Sequence, residues 1–302
     1  MAYAKINSIT NANMAKIANI AKSDFGKISS IDAPTTATPF TFTVNTENAG
    51  SATKTFVLPL TYIDGHTWDI DVDWGDSSTD TITAYDQAET THLYSSTGTY
   101  TIQMTNPVSG FDFNNGGDKL KILNISQWGE FIFTGYQAFR RCANLTSDAT
   151  DAPTNNLVLW DFMFEGCTNW NPNNVESWDM SSVTKMNWMF FGCTYFNQPI
   201  GAWDTSNVYE LSYMLYNCPA FDQNLSNWNV ASVTNYSQFM GNAGMSTANY
   251  DALLIAWNAQ SVSASETPHF GSSKYTAGGA AAAARANLIS SDGWTITDGG
   301  TA

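Results

Sequence analysis

Three periodicities of apolar and polar positions divide the chain. In residues 1–31 a short apolar pair returns every 11 residues: Lys5-Ile6-Asn7-Ser8-Ile9, Lys16-Ile17-Ala18-Asn19-Ile20 and Lys27-Ile28-Ser29-Ser30-Ile31 share the pattern Lys-Ile-x-x-Ile. A period of 11 fits three turns of a slightly right-handed helical coil. It equally fits a small stack of turns, because Asn7-Ser8 and Ser29-Ser30 are turn-prone. The spacing does not choose between the two. In either form the segment has too few apolar residues to build a core and calls for a partner.

From about Ala33 to Phe113 the period falls to two. Phe40-Thr41-Phe42-Thr43-Val44, Trp68-Asp69-Ile70-Asp71-Val72-Asp73-Trp74 and Thr99-Tyr100-Thr101-Ile102-Gln103-Met104 alternate as half-buried strands do. Asp64-Gly65, Gly75-Asp76 and Ser96-Thr97-Gly98 supply turns at the intervals of a β-sandwich.

From Asn114 the repeat lengthens to 25. Val183, Met186, Met189, Phe190, Cys193, Phe196, Ile200 and Trp203 return as Val208, Leu211, Met214, Leu215, Cys218, Phe221, Leu225 and Trp228. A later copy holds Val233, Tyr236, Phe239, Met240 and Ala243. An earlier one runs from Leu157 through Trp160, Met163, Phe164, Cys167 and Trp170 to Trp178, and a degenerate first unit supplies Phe139, Cys142 and Leu145. Units this small cannot fold alone and must stack. Met186, Met189, Phe190 and Cys193 stand at i, i+3, i+4 and i+7, which predicts one face of a short helix per unit, ending near Gly192 or Asn217. Ile200, Trp203 and Val208 then form the return segment and strand, with Trp178, Trp203 and Trp228 as a ladder in the core. Beyond Ser246, an expected N-cap, the pattern predicts a helix over Tyr250–Trp257, an Ala-rich helix over Ala280–Ile289 and a closing strand over Trp294–Gly299.

Composition narrows the reading. Hydrophobic residues make up 43% and charged ones 13%, so surface polarity rests largely on Asn, Ser, Thr and Gln. The net charge is −15; four lysines against Asp24 make residues 1–31 +3 and leave −18 for the rest. An acidic body repels phosphate backbones, so nucleic acid is not an expected partner. The basic leader suits docking on an acidic protein surface. No apolar run of about 18 residues is present, and the first residues lack the apolar core of a secretory signal, so neither membrane insertion nor export is expected.

Candidate chemistry is sparse. Cys142, Cys167, Cys193 and Cys218 fall one per unit, a spacing of neither metal knuckles nor a disulfide framework, and read as buried free thiols. Asp69, Asp71, Asp73, Asp76 and Asp80 offer oxygen ligands of the kind calcium takes, but match no EF-hand loop, and a solvated acidic face needs no ion; no metal or cofactor is assigned. His66, His92 and His269 lie in different segments with no nucleophile at motif spacing, so no catalytic residue is assigned. Trp188 and Phe191 fall off the buried face, Tyr213 and Tyr216 repeat them one unit on, and Phe162 precedes Trp188. Stacking aligns these five as an aromatic stripe on the outer face, the expected partner-binding surface.

Several segments resemble known families. Val72-Asp73-Trp74-Gly75-Asp76 with His92-Leu93-Tyr94 and Gly98-Thr99-Tyr100-Thr101-Ile102 resembles the polycystic-kidney-disease-type (PKD-like) sandwich. The unit Met-x-x-Met-Phe-x-x-Cys-x-x-Phe-Asn-x-x-Ile-x-x-Trp-Asp-x-Ser-x-Val resembles the BspA-like leucine-rich repeats of bacterial surface and phage proteins. The Lys-Ile-x-x-Ile leader is similar to leaders on structural proteins of tailed phages. Together these imply a multi-domain chain: an anchoring arm (1–37), an all-β immunoglobulin/PKD-like sandwich (38–112), an α/β leucine-rich-repeat-type solenoid (113–245) and a C-terminal α/β cap (246–302). They imply a non-enzymatic phage virion appendage, a fibre or capsid decoration assembled in the host cytoplasm. Its arm (Lys5, Ile6, Ile9, Lys16, Ile17, Ile20, Lys27, Ile28, Ile31) would hold a capsid or tail protein, and its repeats a host-surface glycan or protein, in a homo-oligomer such as a trimer. The rivals are a bacterial cell-surface adhesin and a glycan-degrading spike enzyme.

Overall fold

The computed structural model describes residues 37–155 and 157–302, so the expectations for the basic arm lie outside the described residues. Thr38–Ala302 form one compact unit.

Alternating residues build the first layer. β1 (Phe40–Asn45) buries Phe40, Phe42 and Val44; β3 (Ile70–Asp73) buries Ile70 and Val72 and leaves Asp71 and Asp73 in solvent; β6 (Thr99–Thr105) buries Ile102 and Met104. β2 (Thr55–Val57) pairs antiparallel with β5 (Thr91–Leu93) in a separate two-stranded sheet that adds Phe56 to the core. β3 and β4 (Thr79–Ile82) are joined by a turn whose Gly75 has φ +79°. A Cβ there would stand 2.3 Å from the Thr101 carbonyl oxygen, so only glycine fits.

The main sheet runs past residue 113. β7 (Ile122–Gln127) pairs antiparallel with β1, setting Ile125 opposite Phe42 and Ile122 opposite Val44. β8 (Ile132–Phe133), β9 (Thr146–Ser147) and β10 (Thr154–Asn155) follow; β9 lies parallel to β7, and β10 parallel to β8. The six-stranded order is β4-β3-β6-β1-β7-β9. A fully buried ion pair pins the join. Lys121 Nζ, 3.6 Å from Asp118, donates to the Ser51, Ala52 and Thr55 carbonyls, and Asp118 accepts the Val57 N–H at 2.7 Å.

The expected α/β leucine-rich-repeat solenoid does not form, and the fold class is corrected to a β-rich, sandwich-like one. No α-helix occurs among the described residues before α1 (Thr247–Asn258); the other helix is α2 (Gly279–Ser290). The stretch expected to be helical in each 25-residue unit is a pair of turns. Met189, Phe191 and Cys193 donate three residues back, to Met186, Trp188 and Phe190 (2.9–3.3 Å). The alternate N–H groups of Met186, Trp188, Phe190 and Gly192 leave the unit altogether, for the carbonyls of Glu210, Ser212, Met214 and Tyr216 (2.9–3.0 Å). An α-helix would spend all of these donors on its own carbonyls. Left-handed residues in each unit (Trp188 at φ +60° and Gly192 at +73°) re-aim the chain so that every second N–H meets the neighbour.

The section from 246, expected as an α/β cap on such a solenoid, has two helices and no strand. Residues 294–301 make only isolated bridges, Thr297 to His269 and Thr301 to Tyr275. Ser246 does not cap α1 with its side chain; its Oγ donates to Asp222 at 2.8 Å. Tyr250, Leu253, Leu254 and Trp257 of α1 and Ala281, Ala284 and Leu288 of α2 are buried. One continuous hydrophobic cluster joins Phe40 of the sandwich to Trp294.

Candidate functional site

Phe162, Trp188 and Tyr213 occupy the same position in successive turns, each with left-handed backbone (φ +59°, +60° and +57°). Bulky residues rarely adopt that region, because Cβ crowds the backbone. Here their N–H groups are held by the next turn, at Asn187, Ser212 and Ser237 (2.9–3.1 Å). The conformation turns each side chain away from the core, and all three are half-buried.

The structure brings the five expected aromatics together. Ring centroids lie 5.8 Å apart for Phe162–Trp188, 4.6 Å for Trp188–Tyr213, 4.4 Å for Trp188–Phe191 and 4.9 Å for Phe191–Tyr216, all near parallel. Ring faces are thus largely spent on one another, and the ridge shows solvent its edges. One end is closed by Arg140, whose guanidinium stands 4.8 Å over Phe162 and, with Arg141, grips the buried Glu165. At the other end Asn242 donates to the Tyr216 hydroxyl at 2.9 Å. Beside the ridge, burial raises the Asp161 carboxyl to about 6 despite the opposing Lys185 ammonium and Asn187 N–H, and Glu210 adds repulsion.

Three side-chain ladders hold the turns beneath. The thiols of Cys167, Cys193 and Cys218 donate to the carbonyls of Phe139, Phe164 and Phe190 (2.8–3.1 Å), one turn back. The indole N–H groups of Trp203 and Trp228 reach Val175 and Ile200 at 2.7 and 2.9 Å. The rings that stack from turn to turn are Phe139, Phe164 and Phe190, at 5.7 and 6.0 Å, rather than the expected Trp178, Trp203 and Trp228. Sequence reasoning missed the third ladder, Asn171–Asn197–Asp222, in which each side-chain oxygen accepts the backbone N–H of the next unit (2.7–2.9 Å). Its signal was the Asn-Gln and Asp-Gln pairs recurring 25 residues apart.

The remaining candidates are engaged locally. Asp73 accepts from Gly75 N–H, Asp71 from Thr81 and Asp80 from the Trp74 indole. Among the described residues no three metal-ligating side chains gather. His92 lies flat on Trp74 at 4.6 Å, and its Nε2 faces both Asp76 (2.9 Å) and Ser78 (3.5 Å). A relay needs serine and carboxylate on opposite ring nitrogens, so this trio is a clamp on the β3–β4 turn. His66 meets Ser109, 2.9 Å away, and among the described residues no carboxylate bonds to its ring. No helix among the described residues is long and apolar enough to cross a membrane.

The ridge coincides with a family match. Residues 135–257 match the DUF285 family model, described as a Mycoplasma protein of unknown function. The DUF285-like stretch holds all five aromatics and the three ladders, and leaves out β1 to β8 and α2. No curated protein and no solved structure matches the chain.

Proposed function

We propose that this protein is a non-catalytic attachment component of a phage particle that offers the Phe162–Trp188–Tyr213 ridge, with Phe191 and Tyr216, to a partner on the host surface. One observation carries the reading: five half-buried rings form a continuous, rigid, outward-facing row across three turns. Rigid aromatic surface is the usual source of binding energy at interfaces, because little side-chain entropy is lost on contact. Edge-on rings meet another protein's apolar and carbonyl groups better than they stack under sugars, so a host surface protein is the favoured partner. The phage assignment draws support from the Lys-Ile-x-x-Ile leader. The four free thiols suit assembly in a reducing cytoplasm.

The test pairs purified particles with a ridge variant. Cryo-electron microscopy is expected to locate the chain on the particle, and Trp188→Ala/Tyr213→Ala to reduce adsorption to host cells at least tenfold. Absence of the chain from particles removes the phage reading. Undiminished adsorption by folded variant particles removes the ridge.

A further inference from the structure

A cleft of about 590 Å³ opens between the last turn of the stack and the segment before α2, bordered by Pro219, Asn242, Gly244, His269, Gly271 and Ser272. Its walls are fixed by backbone bonds, Met240 N–H to His269 and Ser272 N–H to Ala243, both 2.8 Å. Two glycines permit that approach. A Cβ on Gly271 would stand 2.0 Å from the Ala243 carbonyl oxygen, and one on Gly244 2.4 Å from Ser272 Oγ. The volume lies within the roughly 300–1,000 Å³ of small-ligand sites.

The lining sets the ligand chemistry. None of its side chains carries a fixed charge, although the protein as a whole is at −15. Nothing there compensates a phosphate, a carboxylate or a metal ion, and burying an unpaired charge is costly. His269 Nδ1 accepts the Gly271 N–H at 3.0 Å, so the neutral ring keeps its proton on Nε2 and offers a donor. Asn242 spends an amide hydrogen on Tyr216 and Ser272 donates to Ala243, which leaves their oxygens as acceptors. Donors and acceptors interleaved without charge suit groups that both give and take a hydrogen bond, which is the property of sugar hydroxyls.

We propose that this cleft, which adjoins the Tyr216 end of the aromatic ridge through Asn242, binds an uncharged saccharide with its own polar groups rather than with the ridge rings. The full chain is titrated with glucose, galactose, mannose, N-acetylglucosamine and its β-1,4 disaccharide, read by saturation-transfer NMR, with glucuronate and inorganic phosphate as charged probes. At least one uncharged sugar is expected to show transfer. Ser272→Phe, which fills the cleft from an exposed position, is expected to weaken it at least tenfold, as is His269→Ala. Trp188→Ala/Tyr213→Ala is expected to leave it unchanged. No transfer from any uncharged sugar, full binding by Ser272→Phe with an intact circular-dichroism spectrum, or preference for the charged probes overturns the proposal. Loss of transfer in the ridge variant moves the sugar to the ridge and overturns the cleft.

Discussion

Asp161 stands beside the ridge with its carboxyl raised to about 6, burial being the main cause. A carboxyl whose folded pKa exceeds its unfolded value favours the fold while protonated, and that contribution is lost as pH rises from about 4 through 6. The full shift corresponds to at most ~3 kcal/mol, and partial exposure and screening reduce it to about 1. Asp161→Asn is therefore expected to melt a few degrees higher than wild type at pH 7.5 and equally at pH 4, by circular dichroism. A constant difference across that range would assign the effect to packing instead. The thiols make a second case at this scale. All four are fully buried, and burial pushes Cys193 well above its ordinary pKa and Cys218 to about 12. Since the thiolate is the nucleophile, none should react with iodoacetamide in the native state and all four should after unfolding, counted by intact mass. Rapid native labelling of Cys193 would show that the turns open locally.

Between elements, the Asp118–Lys121 pair ties β7 to the segment before β2, and neither side chain reaches solvent. Removing one partner leaves the other as an unpaired buried charge, so Lys121→Met is expected to cost about 3–5 kcal/mol in urea unfolding. A loss under 1 kcal/mol would mean that water replaces the ammonium. Nothing in the sequence pointed to this pair, because its partners Ser51, Ala52 and Thr55, at and before the start of β2, are about 70 positions away. The strands were more legible: alternation located β1, β3 and β6, since a half-buried strand leaves a period of two and little else does. The turn units show where pattern fails. Met186, Met189, Phe190 and Cys193 have helical spacing, yet eight residues are too short for that spacing to exclude two consecutive turns. Gly192 and Asn217, read as helix ends, and Gly166 one unit earlier do take a left-handed φ, but in a second turn rather than at the end of a helix. The aromatic ridge could be read because stacking of the units, 26 and then 25 residues apart here, aligns Phe162, Trp188 and Tyr213, whatever the backbone between them. The edge-on attitude of its rings could not, since the left-handed backbone sets it. The cleft was beyond reach, because His269, Gly271 and Ser272 lie past the last copy of the repeat, where no period sets them against Asn242 and Gly244.

For the whole molecule, the decisive feature is that the sheet does not stop where the repeat pattern begins. β1 is flanked by β6 on one side and β7 on the other, so a cut at residue 112 converts a central strand into an edge. It would also strip Trp128, Phe131 and Phe133 from the cluster around Phe40 and Phe111. The loop held by Lys121 would be released as well. An exposed hydrophobic edge and a core open on one flank favour unfolding or aggregation over an independent sandwich. Residues 38–112 alone are therefore expected to give no near-ultraviolet dichroism and no cooperative melt. Residues 38–302 are expected to unfold in one step, with tryptophan fluorescence and far-ultraviolet dichroism coincident. A dispersed amide spectrum from 38–112 would show instead that the sandwich is complete without β7, and that the join at residue 113 links two independent bodies.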